Sequence, residues 1–270
     1  PTREEMEEIE VSSRLYQEDG ALFMTAMILS RADTDDPRST AVTFILSDAR
    51  LVTLRHDEPR SFRLFAARAQ RYQSDMRRGE LVLTGLLEAI VDRTADILER
   101  VGSDLDAVSR EVFAPPRRGR DFHESLRRIG RIGDLGSKVQ ESLISIARLL
   151  TFYNQTLDTG KGSKELRGRI KTLSRDVQSL TDHASFLSSK ISFLLDATLG
   201  MINIEQNAII KIFSVVAVIF LPPTLVASIY GMNFALMPEL GWRFGYPWAL
   251  GLMVVSAILP FWFFKRRGWL

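Results

Sequence analysis

Between Asp196 and Gly231 a row of small and neutral polar side chains recurs: Asp196, Gly200, Asn203, Asn207, Ile210, Ser214, Ala217, Leu221, Thr224, Ser228 and Gly231. Steps of four and three residues alternate along the whole row, which places it on one face of a helix. The amide and hydroxyl oxygens in it are acceptors for water or for a solvated cation. Two uses of such a row remain open on the residues alone. Small and polar side chains let transmembrane helices approach closely, and they also line aqueous paths through membranes. A single helix cannot enclose a path, so the second use requires several copies of the chain about an axis. Ile210 and Leu221 would then be apolar constrictions, and Asp196 would lie at the inner mouth.

Other chemistry is poorly served. The sequence has no cysteine, which excludes disulfides and thiolate metal sites. His56, His123 and His183 are far apart and share no ligand spacing, and no Ser/His/Asp set suggests a nucleophile. Gly130, Gly133 and Gly136 recur every three residues, but no strand precedes them as a dinucleotide site requires. No GxxxxGK[ST] loop is present, so ATP does not drive the protein through that device. The expectation is a protein that is not an enzyme, has no organic cofactor and binds no nucleic acid.

The elements that must carry the row are read from the charge distribution. The 270 residues carry 35 Lys and Arg against 33 Asp and Glu, a net charge of +2, with 46 % hydrophobic residues. These averages describe an ordinary globular chain and hide a division. From Ile212 to Phe264, 53 residues contain only Glu239 and Arg243 as charges, and Lys265, Arg266 and Arg267 follow directly. Ile212–Tyr230 is a charge-free run of 19 residues, and Gly245–Phe264 one of 20. At 1.5 Å per residue each spans about 28–30 Å, the thickness of a bilayer core. The 14-residue connector 231–244 makes them a hairpin. The terminal basic cluster and Lys211 place both chain ends in the cytoplasm by the positive-inside rule. Pro222-Pro223 inside the first span would break a helix in water. It is tolerated in a membrane where neighbouring groups satisfy the freed carbonyls.

The charge-rich part reads as strands followed by long helices. Leu22–Ile28, Thr40–Leu46 and Leu51–Leu54 have strand composition, and Ser47–Arg50 is a hairpin turn. Helix formers dominate from about Ser61. Glu80–Phe113 has apolar residues at Leu83, Leu86, Leu87, Ile90, Val91, Ala95, Leu98, Val101 and Leu105, and Pro115-Pro116 stops it. Asp121–Leu157 is a second long helix, and Thr159–Ser163 a loop. With no proline between Lys164 and Pro222, one helix of roughly 65 residues, about 100 Å, is expected to run into the first span. The fold class is therefore an α+β cytoplasmic domain with a long stalk helix and two C-terminal transmembrane helices. The expected division is a cytoplasmic α/β domain over 1–78, long cytoplasmic helices over 79–162, and a stalk helix over 163–232 that continues into the first span at about 212–230. A periplasmic loop over 231–244, the second span over 245–264 and a basic cytoplasmic tail over 265–270 complete it.

The connector carries a recognisable signature. Tyr230-Gly231-Met232-Asn233-Phe234 ends the first span, Met237-Pro238-Glu239-Leu240 follows, and the chain closes with Lys265-Arg266-Arg267-Gly268-Trp269-Leu270. This resembles the CorA magnesium/cobalt transporter family of the proteobacterial type, with its Gly-Met-Asn tripeptide and Met-Pro-Glu-Leu loop. Ile202–Asn207 and Phe220–Thr224 look like the same branch. The resemblance implies a funnel-shaped homopentamer in the bacterial inner membrane, surrounded by lipid, in which five first spans line one pore. It favours pore lining for Asn203, Asn207, Ile210, Ser214, Ala217, Leu221, Thr224 and Ser228, and assigns selectivity to Gly231, Met232 and Asn233. Asn233 would bind the hydrated cation, helped by Gly231 carbonyls. Neutral acceptors suit an ion that dehydrates as reluctantly as Mg²⁺. The implied function is transport of Mg²⁺, and also Co²⁺ and Ni²⁺, down the electrochemical gradient. Cytoplasmic Mg²⁺ held by carboxylates would regulate it. Asp196 is a candidate for that role, while Glu88, Asp92, Asp96, Asp176 and Asp182 are not distinguished from surface acids. The family's cytoplasmic domain normally has further N-terminal strands, so this one is expected to be incomplete. Two alternatives accompany this reading: a zinc transporter of the same superfamily, against which Met232 argues, and a membrane-anchored scaffold without transport.

Overall fold

A computed structural model describes residues 6, 14–47, 50–71, 78–115, 121–157, 163–233 and 237–269. Four strands, β1 (Leu15–Glu18), β2 (Ala21–Ser30), β3 (Arg38–Ser47) and β4 (Arg50–Arg55), form one antiparallel sheet in the order β1-β2-β3-β4. Five helices follow: α1 (Arg60–Arg71), α2 (Gly79–Phe113), α3 (Phe122–Thr156), α4 (Ser163–Tyr230) and α5 (Gly245–Arg266). A short 3₁₀ turn at Pro238–Gly241 precedes α5. Because every strand pair is antiparallel, the sheet needs no crossover helices, and the class is α+β. The chain forms two compact units, Pro1–Thr198 and Leu199–Leu270.

In the first unit β2 and β3 pair over ten residues, from Ala21↔Ser47 to Ser30↔Arg38. On one face Met24, Ala26 and Ile28 lie beside Val42, Phe44 and Leu46, all buried. Phe44 stacks on Phe62 of α1 with ring centroids 6.3 Å apart. On the other face Thr25 and Thr43 are also buried, and they satisfy each other through a 2.7 Å hydrogen bond between their hydroxyls. The Met27 amide donates to Ser145 Oγ of α3 at 2.9 Å, which ties the sheet to that helix. The expected Ser47–Arg50 turn joins β3 to β4, whose last register pair is Ser47↔Arg50, while its two central residues lie outside the described residues. So do residues 159–162 of the expected loop before α4 and Pro116 after α2.

The apolar period of α2 is realised in packing. Leu83, Leu86, Leu87, Ile90, Val91, Leu98, Val101 and Leu105 are buried, whereas Ala95 is half-exposed. The α3 helix begins where Asp121 accepts from the backbone amides of His123 (2.9 Å) and Glu124 (3.3 Å), an N-cap that satisfies two free donors. Its Ile129, Val139, Leu143, Ile146, Leu149, Leu150 and Tyr153 are buried. Along the first part of α4 the buried row is Leu166, Ile170, Leu173, Val177, Ala184, Leu187 and Leu194. The glycine row of α3 meets this helix: a Cβ on Gly133 or Gly136 would lie 3.5 or 3.7 Å from Ile191. Those glycines therefore serve helix packing rather than a nucleotide.

Leu143 is fully buried. Leu143→Ala should lower the unfolding free energy of the full chain by about 2–5 kcal/mol. Leu143→Met should cost less than about 1.5 kcal/mol. Urea unfolding in detergent measures both, and equal effects of the two substitutions would contradict this packing.

Candidate ion pathway

The second unit holds the end of α4 and all of α5, two helices long and apolar enough to cross a membrane. The α4 helix passes through Pro222 and Pro223 without interruption. Each proline lacks an amide hydrogen, so the carbonyls of Val218 and Ile219 lose their usual donors. Two rows run along this part of α4. Lys211, Ile219, Pro222, Val226 and Tyr230 are half-covered, and Val215 between them is buried. The neighbouring row is Asn203, Asn207, Ile210, Ser214, Ala217, Leu221, Thr224 and Ser228, and every member is exposed. Its two large apolar members, Ile210 and Leu221, are 61 % and 67 % exposed, too much for residues that merely pack within one chain.

The hydroxyls of this row have a defined polarity. Thr224 Oγ1 donates to the Phe220 carbonyl at 2.8 Å, and Ser228 Oγ donates to the Thr224 carbonyl at 2.8 Å. Their protons are thus committed to the helix backbone, and the free capacity of both oxygens is to accept. Water around a cation presents hydrogens outward. Accepting oxygens such as these match the outer face of a hydrated cation, and the amide oxygens of Asn203 and Asn207 can accept in the same way.

At the end of α4 the Gly231 amide donates to the Ala227 carbonyl at 2.9 Å, and the Met232 amide to the Ile229 carbonyl at 3.3 Å. A Cβ at Gly231 would stand 3.1 Å from the Ala227 oxygen, so a larger residue must push backbone aside. Gly231, Met232 and Asn233 are all exposed. Of the following loop, Met237 is half-buried and Pro238 opens the 3₁₀ turn that also contains Glu239 and Leu240. Phe234 to Leu236 lie outside the described residues.

Aromatic residues, not singled out by the sequence reading, mark both ends of α5. Trp242 lies 6.1 Å from Phe244 and 6.4 Å from Trp248. At the other end Arg266 sits 4.7 Å over Trp262, Arg267 5.0 Å over Phe263, and Lys211 Nζ 5.1 Å over Trp269. All four tryptophans of the chain fall in its last 29 residues, at the two edges of a charge-free run. That clustering was the available signal, since aromatic belts sit at bilayer interfaces.

The acids of the first unit separate by environment. Glu88 is held by both arms of Arg169, at 3.0 and 2.7 Å. Asp182 accepts from Gln178 at 2.9 Å, and Asp96 lies 3.7 Å from Arg93. Asp92 and Asp176 share a cavity of about 720 Å³ with Arg68, Glu88, Glu165 and Arg169. Burial, and the carboxylates of Glu88, Asp96 and Asp176, push the Asp92 carboxyl above its ordinary range against the pull of Arg68. Asp196 on α4 is exposed and has no partner among the described residues. No group of three or more possible metal ligands occurs among them, and the three histidines are not brought together.

Comparisons with known proteins give this geometry its context. Residues 2–266 match the family described as CorA-like Mg²⁺ transporter protein. The chain is 41 % identical over 266 residues to the magnesium transport protein CorA of Pasteurella multocida, covering 98 % of this chain and 83 % of that one. It is 40 % identical over 269 residues to the magnesium transport protein CorA of Escherichia coli K12, covering 100 % and 84 %. In fold it is similar to the CorA magnesium transporter of Methanocaldococcus jannaschii, with a TM-score of 0.79 at 21 % identity over 100 % of this chain and 89 % of that one. The cytoplasmic domain of ZntB from Vibrio parahaemolyticus is more distant, with a TM-score of 0.54 at 8 % identity over 72 % and 76 %. A family match over nearly the whole length, together with two relatives at 40 % identity or more, places this chain in the CorA-like Mg²⁺ transporter family.

Proposed function

We propose that the chain carries Mg²⁺ across the bacterial inner membrane as a homopentamer, with the α4 spans around one axial pore and the α5 spans outside them. The observation that carries this reading is the exposed row with accepting oxygens that runs into the charge-free stretch of α4 before Gly231-Met232-Asn233. Relatives named as magnesium transport proteins support the choice of ion. Co²⁺ and Ni²⁺ form hydrated divalent ions of similar charge and are carried by the same row. Exposed Phe186, Phe193, Leu195 and Leu199 on α4 support assembly, because a second copy would cover them. Both chain ends face the cytoplasm, with Lys265, Arg266 and Arg267 at the inner surface and the connector in the periplasm.

Asn233 oxygens, ringed by symmetry, hold the hydrated ion at the outer mouth, and Asn203, Asn207, Thr224 and Ser228 pass it inward. Ile210 and Leu221 narrow the pore between them. A divalent ion gains about 4.6 kcal/mol per 100 mV of inside-negative potential, which drives uptake without ATP. Cytoplasmic Mg²⁺ bound by carboxylates holds the pore shut, with Asp196 one of the contributing groups. Five copies of that exposed carboxylate around one axis would repel each other unless a cation bridged them.

Three substitutions test the reading. Asn233→Ala should reduce Mg²⁺ uptake in proteoliposomes at least about tenfold, the loss of roughly 1.4 kcal/mol of ion binding; unchanged uptake would remove Asn233 from selectivity. Asp196→Ala should leave flux less inhibited by Mg²⁺ on the cytoplasmic side, and an unaltered inhibition curve would remove it from gating. Gly231→Ala should impair uptake through displacement of the Ala227 carbonyl while leaving chain assembly intact on size-exclusion chromatography. Normal uptake by that variant would show that the close approach at Gly231 is dispensable.

A further inference from the structure

Three arginines converge on one carboxylate in the first unit. Arg60 Nη1 donates to Asp33 Oδ2 at 2.8 Å. Arg93 Nη2 reaches both oxygens, at 2.5 and 2.7 Å. Arg100 Nη1 donates to Oδ1 at 2.5 Å, and its Nη2 holds the Ala32 carbonyl at 2.7 Å. Three elements thus meet: the β2–β3 loop with Asp33, the first turn of α1 with Arg60, and two turns of α2 with Arg93 and Arg100. The loop leaves β2 at Arg31, whose φ of +53° lies in the left-handed region, and Thr34 closes the turn onto the Arg31 carbonyl at 2.9 Å. The carboxylate therefore sits at a fixed point rather than on a freely moving loop.

The charges do not balance there. A cavity of about 260 Å³ is lined by Arg31, Asp33, Glu58, Arg60, Arg63 and Arg93, among others. Four guanidinium groups thus face two carboxylates, and Arg100 adds a fifth cation at Asp33. Arg63 is exposed and has no ion-pair partner among the described residues. Glu58 lies 3.9 Å from Arg55, Asp57 3.6 Å from Arg31 and Asp96 3.7 Å from Arg93, so the excess of cations falls on Arg60, Arg63 and Arg100, of which Arg60 and Arg100 share Asp33. Arg93, with only 16 % of its side chain exposed, is held by Asp33 and lies 3.7 Å from Asp96, so it is fixed in place at the wall of the cavity. The Arg100 hydrogen bond, with those of Arg60 and Arg93, holds the Asp33 carboxyl far below the usual carboxylate range despite partial burial.

Guanidinium forks match phosphate oxygens as they match a carboxylate, and a phosphate brings more than one negative charge. The cavity volume exceeds that of several waters, enough for a phosphate group. We propose that the Asp33 loop, the first turn of α1 and the facing turns of α2 form a binding site for a phosphate-type oxyanion. The oxyanion is either free phosphate or the phosphate end of a nucleotide. Arg60, Arg63 and Arg93 supply the donors. Asp33 is the site's internal competitor, occupying the forks when the anion is absent.

The sign of the Asp33 effect separates this from a purely structural clamp. The full chain in detergent, in magnesium-free buffer, is titrated calorimetrically with inorganic phosphate, pyrophosphate and ATP; the absence of Mg²⁺ keeps the result independent of transport. One site per chain is expected. Asp33→Asn should bind phosphate about tenfold more tightly, and Arg63→Ala about tenfold more weakly, the scale of one charge-assisted hydrogen bond. Tighter binding of ATP than of pyrophosphate identifies a nucleotide as the source, and equal binding of the two identifies the phosphate group alone. No heat with any of the three anions at millimolar concentration, or one common affinity in all three proteins, overturns the proposal. Should Asp33→Asn fail to fold, the comparison of Arg63→Ala with the wild type decides alone, because Arg63 forms none of the ion pairs that hold the loop.

Discussion

In hydrocarbon no solvent hydrogen bond is available, so every polar group on a spanning helix must be satisfied by protein or by enclosed water. That constraint governs the membrane unit of this chain. It keeps the α4 backbone helical through Pro222 and Pro223. It also makes lipid a poor environment for the exposed polar side chains within the span, Ser214, Thr224 and Ser228. Thr224 and Ser228 return their protons to the backbone, and their oxygens keep capacity to accept. Within one chain the row is exposed, and the covered row beside it is the apolar one centred on Val215. The proposed assembly would give the polar row what it lacks within one chain, further copies of the chain with water between them. In the proposed reading, function and assembly rest on the same accepting oxygens.

The same helix serves two environments. Over its first part, Leu166, Ile170, Leu173, Val177, Ala184, Leu187 and Leu194 make a buried seam of the 3.6-residue period. Beyond Leu199 the covered stripe thins to the row around Val215, and apolar residues such as Ile212, Phe213 and Phe220 are exposed. An amphipathic helix buries one stripe against protein, whereas a helix apolar on most sides belongs in a bilayer. Charge marks the change, since Lys211 is the last charged residue before the spans and stands over Trp269 at the chain's end.

Much of this was legible in the sequence, for stated reasons. The helix from Gly79 to Phe113 follows from its apolar period and the prolines beyond it, and its observed start lies one residue before the expected one. The long α4 follows from the absence of proline before Pro222. The strands were found but too short: β2 runs on to Ser30 because Leu29 and Ser30 pair with Ser39 and Arg38. The strand Leu15–Glu18 was missed, since only pairing with β2 and the stacking of Tyr16 on Phe23 at 4.8 Å make those four residues a strand. The selectivity role proposed for Gly231, Met232 and Asn233 was legible only through resemblance, for nothing in three residues of connector announces an ion. Which acids are compensated was not legible at all. Glu88 meets Arg169 from 81 residues away, and Asp33 meets arginines up to 67 residues away. Such pairs are made by folding and leave no local pattern.

The central claim is that hydrated Mg²⁺ moves passively along the polar row under the membrane potential. It is tested most directly by Mg²⁺ uptake into proteoliposomes holding the purified chain, with an imposed inside-negative potential, no ATP and no pH gradient. The account predicts uptake that rises with the imposed potential and is unchanged when a pH gradient is added. Uptake that ignores the potential and appears only with a pH gradient would contradict it.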